Sequence, residues 1–205
     1  MKRLDYLKGY SAYLAKILRE LDYSGVAKVV ECLLQGRLRG STVFFIGNGG
    51  SAATASHFAQ DLGETGRKTG ARSFRSISLC ESMPFVTALS NDYGFDSAFA
   101  SQLSSLFKKQ DILVAISASG NSPNIVKAVQ LANLLKGITI GLVGFDGGKL
   151  LRMCKYALHV KTEEGEYGPV EDAHLALEHM ITTCIMIEDR HAKAKITPKP
   201  IGTPT

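Results

Sequence analysis

The sequence of 205 residues lacks several features that would assign it to a class at once. No apolar stretch approaches the roughly 20 residues that a membrane-spanning helix needs. The first residues form a polar, amphipathic segment and not a signal peptide. The four cysteines include no C-x-x-C pair, which favours reduced core thiols over disulfides or a zinc knuckle. These absences predict a cytoplasmic protein without a membrane partner.

The chain also lacks a clustered basic stripe of the kind that binds nucleic acid. Its formal net charge is +5, but a C-terminal group of basic residues supplies four of the positive charges: Arg190, Lys193, Lys195 and Lys199. The rest is close to neutral, so we expect no nucleic-acid partner. Hydrophobic residues make up 45% of the chain, enough for a substantial core in a single domain.

Short apolar runs alternate with helical patterns along the chain, which predicts a parallel sheet covered on both faces. The expected strands are 43–46, 76–79, 112–116, 138–143 and 156–160. We therefore predict an α/β three-layer sandwich with a central parallel sheet of about five strands. The predicted single domain spans 1–190, with an N-terminal helical pair in 1–36 and the core in 40–190. A last helix is expected over 169–190, followed by a disordered tail at 191–205.

A glycine-rich loop follows the first strand and leads into a helix predicted over 50–62. Its residues Asn48, Gly49, Gly50 and Ser51 allow a ligand to approach the backbone closely. The free N–H groups at the start of that helix favour a phosphate. His57 and Asp61 are four residues apart and thus share one helix face. The stretch 63–73, with three glycines, is expected to be a flexible loop.

Ser117, Ser119 and Ser122 lie between a buried strand and the start of the next helix, and they form the more specific phosphate signal. Three hydroxyls and free backbone N–H groups can bind the oxygens of a phosphate monoester. The alternative is helix capping, which would need one of these serines. The loop at 47–51 does not complete G-x-G-x-x-G, so no nucleotide cofactor is expected.

The last predicted helix begins with several ionisable residues. Glu171 and His179 share a side of the helix but are two turns apart. Acids at a helix start often only compensate the helix dipole, and histidines in helices are often structural. The concentration of acids with two histidines directly before an apolar run nevertheless favours a functional role.

Four segments together identify a resemblance: residues 47–52, 90–95, 117–122 and 171–179. They resemble the sugar isomerase (SIS) domain family, and within it the phosphoheptose isomerases, from the N-terminal helices to about Glu188. The resemblance implies a homotetramer with active sites at subunit interfaces. It also implies an aldose–ketose isomerase that converts sedoheptulose 7-phosphate to glycero-manno-heptose 7-phosphate through an enediol, in bacterial surface-polysaccharide biosynthesis.

The resemblance also implies roles for individual residues. Asp61 and His179 would be catalytic, and zinc would be held by His57, Asp61, Glu171 and His179. The residues that would bind the sugar-phosphate substrate are Asn48, Gly49, Gly50, Ser51, Asn91, Asp92, Ser117, Ala118, Ser119, Ser122 and Glu171.

Two positions depart from the family pattern. Asp61 replaces a glutamate, which shortens the side chain by about 1.5 Å, and Glu171 replaces a glutamine. Two other functions therefore stay open. One is a non-catalytic SIS-domain tetramer that binds a sugar phosphate or a replication initiator protein. The other is an isomerase of a different sugar phosphate.

Overall fold

A computed structural model describes the backbone of residues 3–196 and the side chains of residues 3–194. No helix in this part of the chain is both long and apolar enough to cross a bilayer. The described helices are α1 (Arg3–Arg19), α2 (Tyr23–Arg39), α3 (Gly50–Thr69), α4 (Met83–Tyr93), α5 (Ala98–Leu106), α6 (Pro123–Leu134), α7 (Leu150–Met153) and α8 (Tyr167–Ile196). The strands are β1 (Thr42–Ile46), β2 (Arg75–Ser78), β3 (Ile112–Ser117), β4 (Ile138–Val143) and β5 (Tyr156–His159).

The five strands form one parallel sheet in the order β2-β1-β3-β4-β5. The predicted α/β architecture, with its N-terminal helical pair, is confirmed. The helix α8 continues six residues beyond the predicted end at 190, as far as Ile196. The rest of the predicted tail, 197–205, lies outside the described residues.

Both faces of the sheet are buried, and alternate side chains of each strand enter opposite layers. In β1, Phe45 packs on Phe58 of α3, with ring centroids 4.9 Å apart. The neighbouring Phe44 points to the other layer and meets Phe107 at 5.5 Å. Continuous burial of β1 and β3 explains why both strands are apolar throughout and lack polar alternation.

The helix α3 is longer than predicted, because residues 63–69 are helical and not part of a flexible loop. Its glycines have a packing role. A Cβ at Gly66 would lie 2.6 Å from the backbone of Ser73, and one at Gly63 would lie 2.8 Å from the Ser76 hydroxyl. These two glycines therefore let the chain that enters β2 cross close to the helix. The helix ends at Gly70, which adopts φ 76°.

The helix α4 includes Asn91 and Asp92 in its last turn. A 3₁₀ turn, Phe95–Ser97, follows Gly94 and leads into α5. None of the eleven residues of α4 is buried in the single chain. The short helix α7 was not predicted, since its four residues are too few to show a period.

The helices α3 and α8 pack side by side and run in the same direction. Gly50 contacts Glu171 near their starts, and the ring of His57 lies 5.1 Å from that of His179 further along. Near their ends, the Thr69 hydroxyl lies 3.1 Å from the Asp189 carboxylate. The difference in residue number between facing positions of α3 and α8 is therefore nearly constant along the whole length of α3.

A buried ion pair links α2 to the C-terminal part of this helix pair. Arg37 donates two hydrogen bonds to Asp189, of 2.5 and 2.8 Å, and its guanidinium lies 4.9 Å from the centre of the Phe74 ring. The two side chains are only 10% and 6% exposed. A bidentate pair in such surroundings ties three helices at one point.

Replacement of Asp189 by Asn should lower the free energy of unfolding by about 3–5 kcal/mol, because it leaves the Arg37 charge buried without a counterion. Urea denaturation monitored by circular dichroism measures this change. The control is Glu64→Gln, which removes an exposed pair with Arg67 and should cost about 0.5 kcal/mol or less. Equal losses in both variants would contradict the assigned role of Asp189.

Candidate functional site

A small polar cavity lies where the loops after β1 and β3 meet, at the carboxyl ends of these strands. This is the edge where open parallel sheets bind ligands. Its volume is about 120 Å³. The lining residues are Asn48, Ser51, Ile116, Ser117, Ala118, Ser119, Ser122, Tyr167 and Glu171. The structure thus brings the predicted serines of both loops to one place.

The serine hydroxyls of the second loop face one another and the cavity. Ser117 Oγ lies 3.4 Å from Ser122 Oγ. Ser119 Oγ accepts a 3.2 Å hydrogen bond from the amide of Asn121. Ser122 occupies the N-cap position of α6, yet its side chain makes no capping hydrogen bond. The capping alternative does not account for this hydroxyl, which stays available to a ligand.

A reciprocal pair of side-chain amides joins the two loops. Asn48 donates to Asn124 over 2.9 Å, and Asn124 donates back over 2.8 Å. Asn124 is 1% exposed, and its side-chain oxygen also accepts a hydrogen bond from the backbone N–H of Ile125. The sequence analysis did not identify Asn124. The one indication in the sequence is that a polar residue stands in the otherwise apolar first turn of α6. Asn124 fixes the orientation of Asn48 at the cavity edge.

Glu171 closes the cavity from the side of α8. A Cβ added to Gly50 would overlap its carboxylate, so only glycine allows this approach. Gly49, the N-cap of α3, has φ 54° and ψ −124°, a conformation that suits glycine. The negative charge of Glu171 therefore lies at the positive end of the α3 dipole.

A second cluster, of two histidines and two acids, lies further along α3 and α8. His57 Nε2 is 3.7 Å from Asp61 Oδ2, and His179 Nε2 is 3.2 Å from Glu178 Oε2. One donor atom from each of the four residues lies within 4.8 Å of the others. The side chains of His57 and His179 are 42% and 52% exposed, so the cluster opens to the outside of the helix pair.

Glu178 is the member that the sequence prediction did not single out. It is fully buried, and neither carboxylate oxygen has a hydrogen-bond partner among the described residues. Burial raises the pKa of Glu178 to about 7; His57 opposes this shift and Asp61 adds to it. The signal in the sequence was its four-residue spacing from His174 and Thr182, a row of polar residues on the buried side of α8.

The donors of this cluster fit a divalent metal ion. Imidazole nitrogens and carboxylate oxygens form a normal zinc ligand set. The unpartnered Glu178 carboxylate is a buried group that a cation would satisfy. The predicted ligand Glu171 is not in the cluster, because it precedes His179 by eight residues, about 12 Å along the helix. Glu178 is the fourth member of the cluster in the single chain.

The other predicted substrate residues are not all at the cavity. Asn91 and Asp92 are exposed on α4, where the Asn91 amide donates to Asp92 over 3.1 Å. Neither lines the cavity formed by the single chain. Asp61 and His179, the predicted catalytic pair, both lie in the acid–imidazole cluster.

A larger cleft, of about 490 Å³, separates α1 from the start of α8. Tyr10 donates to Asp172 over 2.5 Å and Tyr13 donates to Glu166 over 2.6 Å. These hydrogen bonds raise the pKa of both tyrosines to about 12, so the hydroxyls stay protonated as donors. Their role is to attach α1 to α8.

His174 lies one turn before Glu178 and is completely buried. Neither ring nitrogen has a hydrogen-bond partner in the described chain. Burial lowers the pKa of His174 from 6.5 to about 4, and the nearby Val143 backbone opposes this shift. The imidazole is therefore neutral in the folded protein at neutral pH.

The unfolded chain binds a proton at His174 more readily than the folded protein, so its contribution to stability is complete above pH 6.5 and falls as the pH falls toward 4. Lowering the pH from 7 to 5 should therefore reduce the free energy of unfolding of the wild type by about 2 kcal/mol through His174. His174→Leu should remove this component. Urea denaturation of both proteins with chelator present measures it, and an unchanged pH dependence in the variant would contradict the assignment.

Sequence comparison places the chain in a family with a matching fold. The model of the family described as "SIS domain" matches residues 5–144 of this chain. The chain belongs to the SIS domain family.

Relatives within that family share a more particular name. The chain is 37% identical over 179 residues to the phosphoheptose isomerase of Aliarcobacter butzleri, covering 87% of this chain and 92% of that one. Among solved structures it resembles phosphoheptose isomerase GmhA from Neisseria gonorrhoeae, with TM-score 0.79, 32% identity and coverage of 89% and 96%. A phosphoheptose isomerase from Francisella tularensis gives TM-score 0.82 at 27% identity, with coverage of 92% and 100%.

Proposed function

We propose that this chain is a sugar-phosphate isomerase that converts sedoheptulose 7-phosphate to glycero-manno-heptose 7-phosphate in heptose biosynthesis. The main observation is that a cavity lined by four serines adjoins a helix pair that carries histidines and carboxylates. Relatives named phosphoheptose isomerase support the same substrate. The reaction is an intramolecular oxidoreduction, in which one carbon is reduced as its neighbour is oxidised.

The cavity lined by the four serines, here called the hydroxyl cavity, binds the phosphate end of the substrate. Ser51, Ser117, Ser119 and Ser122 offer hydroxyl donors, and the cavity that they line lies at the N-terminal end of α6, where the helix dipole favours an anion. The backbone at Gly49, Gly50 and Ala118 lets the ligand approach closely, and Asn48 contacts the sugar. Binding energy from this remote end positions the reacting carbons.

Asp61 and His179 transfer the protons of the reaction. One acts as the base that removes a proton from C1 of the ketose and returns it to C2. The other protonates the carbonyl oxygen O2 and accepts the proton of the O1 hydroxyl. The exposed ring of His179 and the partly exposed carboxylate of Asp61 are accessible to a sugar for these steps.

We propose zinc as a cofactor of this cluster. Bound zinc supplies a Lewis acid that stabilises negative charge on the two substrate oxygens. His57, Asp61 and His179 contribute donors to it, and Asp61 has two oxygens, so one can bind metal while the other exchanges a proton. No nucleotide cofactor is needed for this chemistry.

Incubation with a panel of ketose phosphates, with and without chelator, tests the function. We expect aldose formation, followed by NMR, from sedoheptulose 7-phosphate. Asp61→Asn and His179→Gln should each lower kcat by about 10²–10⁴-fold or more, because each removes a proton-transfer group and a donor to the proposed zinc. Glu64→Gln, one turn from Asp61 on α3, is the matched control and should keep full activity. Full turnover in either site variant would refute the assigned roles.

A second function is favoured by one observation, the short Asp61 carboxylate. If the reach of this side chain is insufficient, the fold would bind a sugar phosphate without turning it over, or act on a different sugar phosphate. The same panel separates these cases. Tight binding with no turnover indicates a sensor or scaffold, and turnover of another ketose phosphate alone indicates a different isomerase.

We further propose a cytoplasmic homotetramer with active sites at subunit interfaces. The four cysteines are free thiols, in keeping with a reducing compartment. Large apolar side chains are exposed on α1 and on α4, which has no buried residue in the single chain: Leu4, Leu7, Met83 and Phe85. Exposed apolar surface of this extent is typical of an interface. Asn91 and Asp92, on α4, would then reach the substrate in a neighbouring subunit's site.

Subunit mixing tests this arrangement. An Asp92→Ala variant and a His179→Ala variant should each be inactive alone. Because each site would combine Asp92 of one subunit with the cavity and cluster of another, co-refolding them in equal amounts should restore about a quarter of wild-type activity. Light scattering should give a mass about four times 22.1 kDa. A monomeric mass, or no recovery from the mixture, would contradict interface sites.

A further inference from the structure

The edge of the sheet opposite the hydroxyl cavity carries a concentration of positive charge. All five strands run parallel, so the loops that lead into them lie together at this edge. Each loop contains or adjoins at least one exposed lysine or arginine. We call this surface the basic edge, and its cations are Arg39, Arg72, Arg75, Lys108, Lys109, Lys136 and Lys155.

Negative charge is nearly absent from the same loops. Their one acid is Asp111, which is 6% exposed and accepts hydrogen bonds from the backbone N–H groups of Thr42 and Lys108. The loops that follow the strands, at the other edge, have the opposite balance. They hold two lysines and five acids: Glu81, Asp146, Glu163, Glu164 and Glu166. The folded chain is therefore polarised along the direction of the strands.

Compensation of helix dipoles accounts for part of this positive charge. The helices α2, α3, α5 and α6 all end at the basic edge, and cations near helix C-termini are stabilising. Arg72, for example, donates a 3.4 Å hydrogen bond to the main-chain carbonyl of Leu38 in the last turn of α2. Such compensation predicts cations at this edge but no exposed apolar side chains.

Three exposed leucines nevertheless lie among the cations. Leu38, Leu106 and Leu134 occupy the last turns of α2, α5 and α6, and they are 69%, 48% and 77% exposed. The helix α2 covers one face of the sheet, whereas α5 and α6 cover the other. The leucines therefore flank the basic edge on both sides.

Exposed leucines among lysines and arginines match the surface of an anionic bilayer. The cations attract the phosphate-bearing headgroups, and the leucine side chains enter the boundary with the acyl chains. Five strands spaced about 4.8 Å apart span about 19 Å, so the cations meet several headgroups at once.

A groove of about 290 Å³ beside β5 offers a place for a single headgroup phosphate. Its lining includes the three cations Lys28, Arg39 and Lys155. The carboxylate of Glu31, which also lines the groove, accepts a 2.8 Å hydrogen bond from Gln35. Positive charge therefore exceeds negative charge in the groove.

Nucleic acid fits the basic edge less well than a bilayer does. Single strands stack their bases on aromatic rings, and the major groove of a duplex admits a helix or a β-ribbon. The basic edge consists of loops and helix ends. The exposed aromatic side chains of the described chain lie elsewhere, at Tyr6, Tyr23, Phe85, Tyr93, Phe95 and Tyr167.

We propose that the basic edge binds the surface of a bilayer that contains anionic phospholipid. This binding departs from the expectation of no membrane partner, because cations that are scattered in the sequence are brought together only by the parallel topology. It needs no spanning helix, since only side chains enter the bilayer. The hydroxyl cavity, at the opposite edge, stays open to solvent, and the binding does not depend on the proposed isomerase activity.

Co-sedimentation of the full chain with vesicles tests this binding. Vesicles of phosphatidylcholine with about 30% phosphatidylglycerol should bind the wild type at least about tenfold more tightly than vesicles of phosphatidylcholine alone. Raising NaCl from about 0.05 M to about 0.5 M should weaken the binding, because salt screens exposed charges. Equal binding to both kinds of vesicle, or to neither, would overturn the assignment.

Charge reversal locates the binding surface. Lys109→Glu/Lys136→Glu should lower the partition coefficient onto the anionic vesicles by about 30-fold or more. The matched control is Lys149→Glu/Lys161→Glu, which makes the same change of net charge at the opposite edge and should stay within about threefold of the wild type. Both variants keep the basic residues near the C-terminus. Unchanged binding of the first variant would therefore assign the attachment to another part of the chain and refute the basic edge.

Replacement of the leucines tests insertion separately from charge. Leu106→Gln/Leu134→Gln should lower the partition coefficient by about tenfold, because it removes apolar side chains from the acyl boundary. Ile77→Gln/Ile187→Gln, at exposed positions away from the basic edge, is the control and should bind like the wild type. Circular dichroism should give the same melting temperature for all of these variants within a few degrees, so a loss of binding is not a loss of fold.

Competition with RNA distinguishes the other class of partner. A labelled single-stranded RNA is titrated with the wild type and with Lys109→Glu/Lys136→Glu, and its fluorescence anisotropy is followed. We expect RNA binding that is weak and similar in both proteins. RNA binding that displaces the anionic vesicles and is lost in the variant would make the basic edge a nucleic-acid site and overturn the bilayer assignment.

Discussion

The parallel packing of α3 against α8 is the contact on which the rest of the structure depends. It brings Gly50 to Glu171 at one end, the two histidines together in the middle, and Thr69 to Asp189 at the other end. The first contact closes the hydroxyl cavity, the second forms the acid–imidazole cluster, and the third joins the ion pair with Arg37. The cavity, the cluster and the ion pair thus follow one another along a single helix–helix interface.

The charges at this interface are placed against different compensating groups. Glu171 lies at the positive end of the α3 dipole, and Asp189 meets a guanidinium in a dry pocket. Glu178 has neither, which is why its pKa rises while it stays surrounded by histidines and Asp61. Asp189, whose partners are complete, stabilises the fold, whereas Glu178 is a buried acid without such partners.

Periodicity and turn chemistry were enough to predict the sheet, because buried parallel strands are short, apolar and bounded by glycine and serine loops. The serine cavity was predictable as well, since carboxyl ends of parallel strands meet at one edge. Gly63 and Gly66 misled the prediction, because a glycine needed for close packing looks the same in sequence as one needed for flexibility. Asn124 and Glu178 were missed because their importance comes from burial, which only the packing of neighbouring elements decides.

The constant offset between α3 and α8 has a consequence for how this chain tolerates changes of length. Inserting one residue in the middle of either helix would turn everything beyond it by about 100° and advance it by about 1.5 Å. The cluster and the ion pair would lose register together, although no functional side chain had been replaced. Loops between the end of α3 and the start of α8 are free of this condition. Variation in length among functional relatives should therefore be confined to those loops, with both helices kept intact.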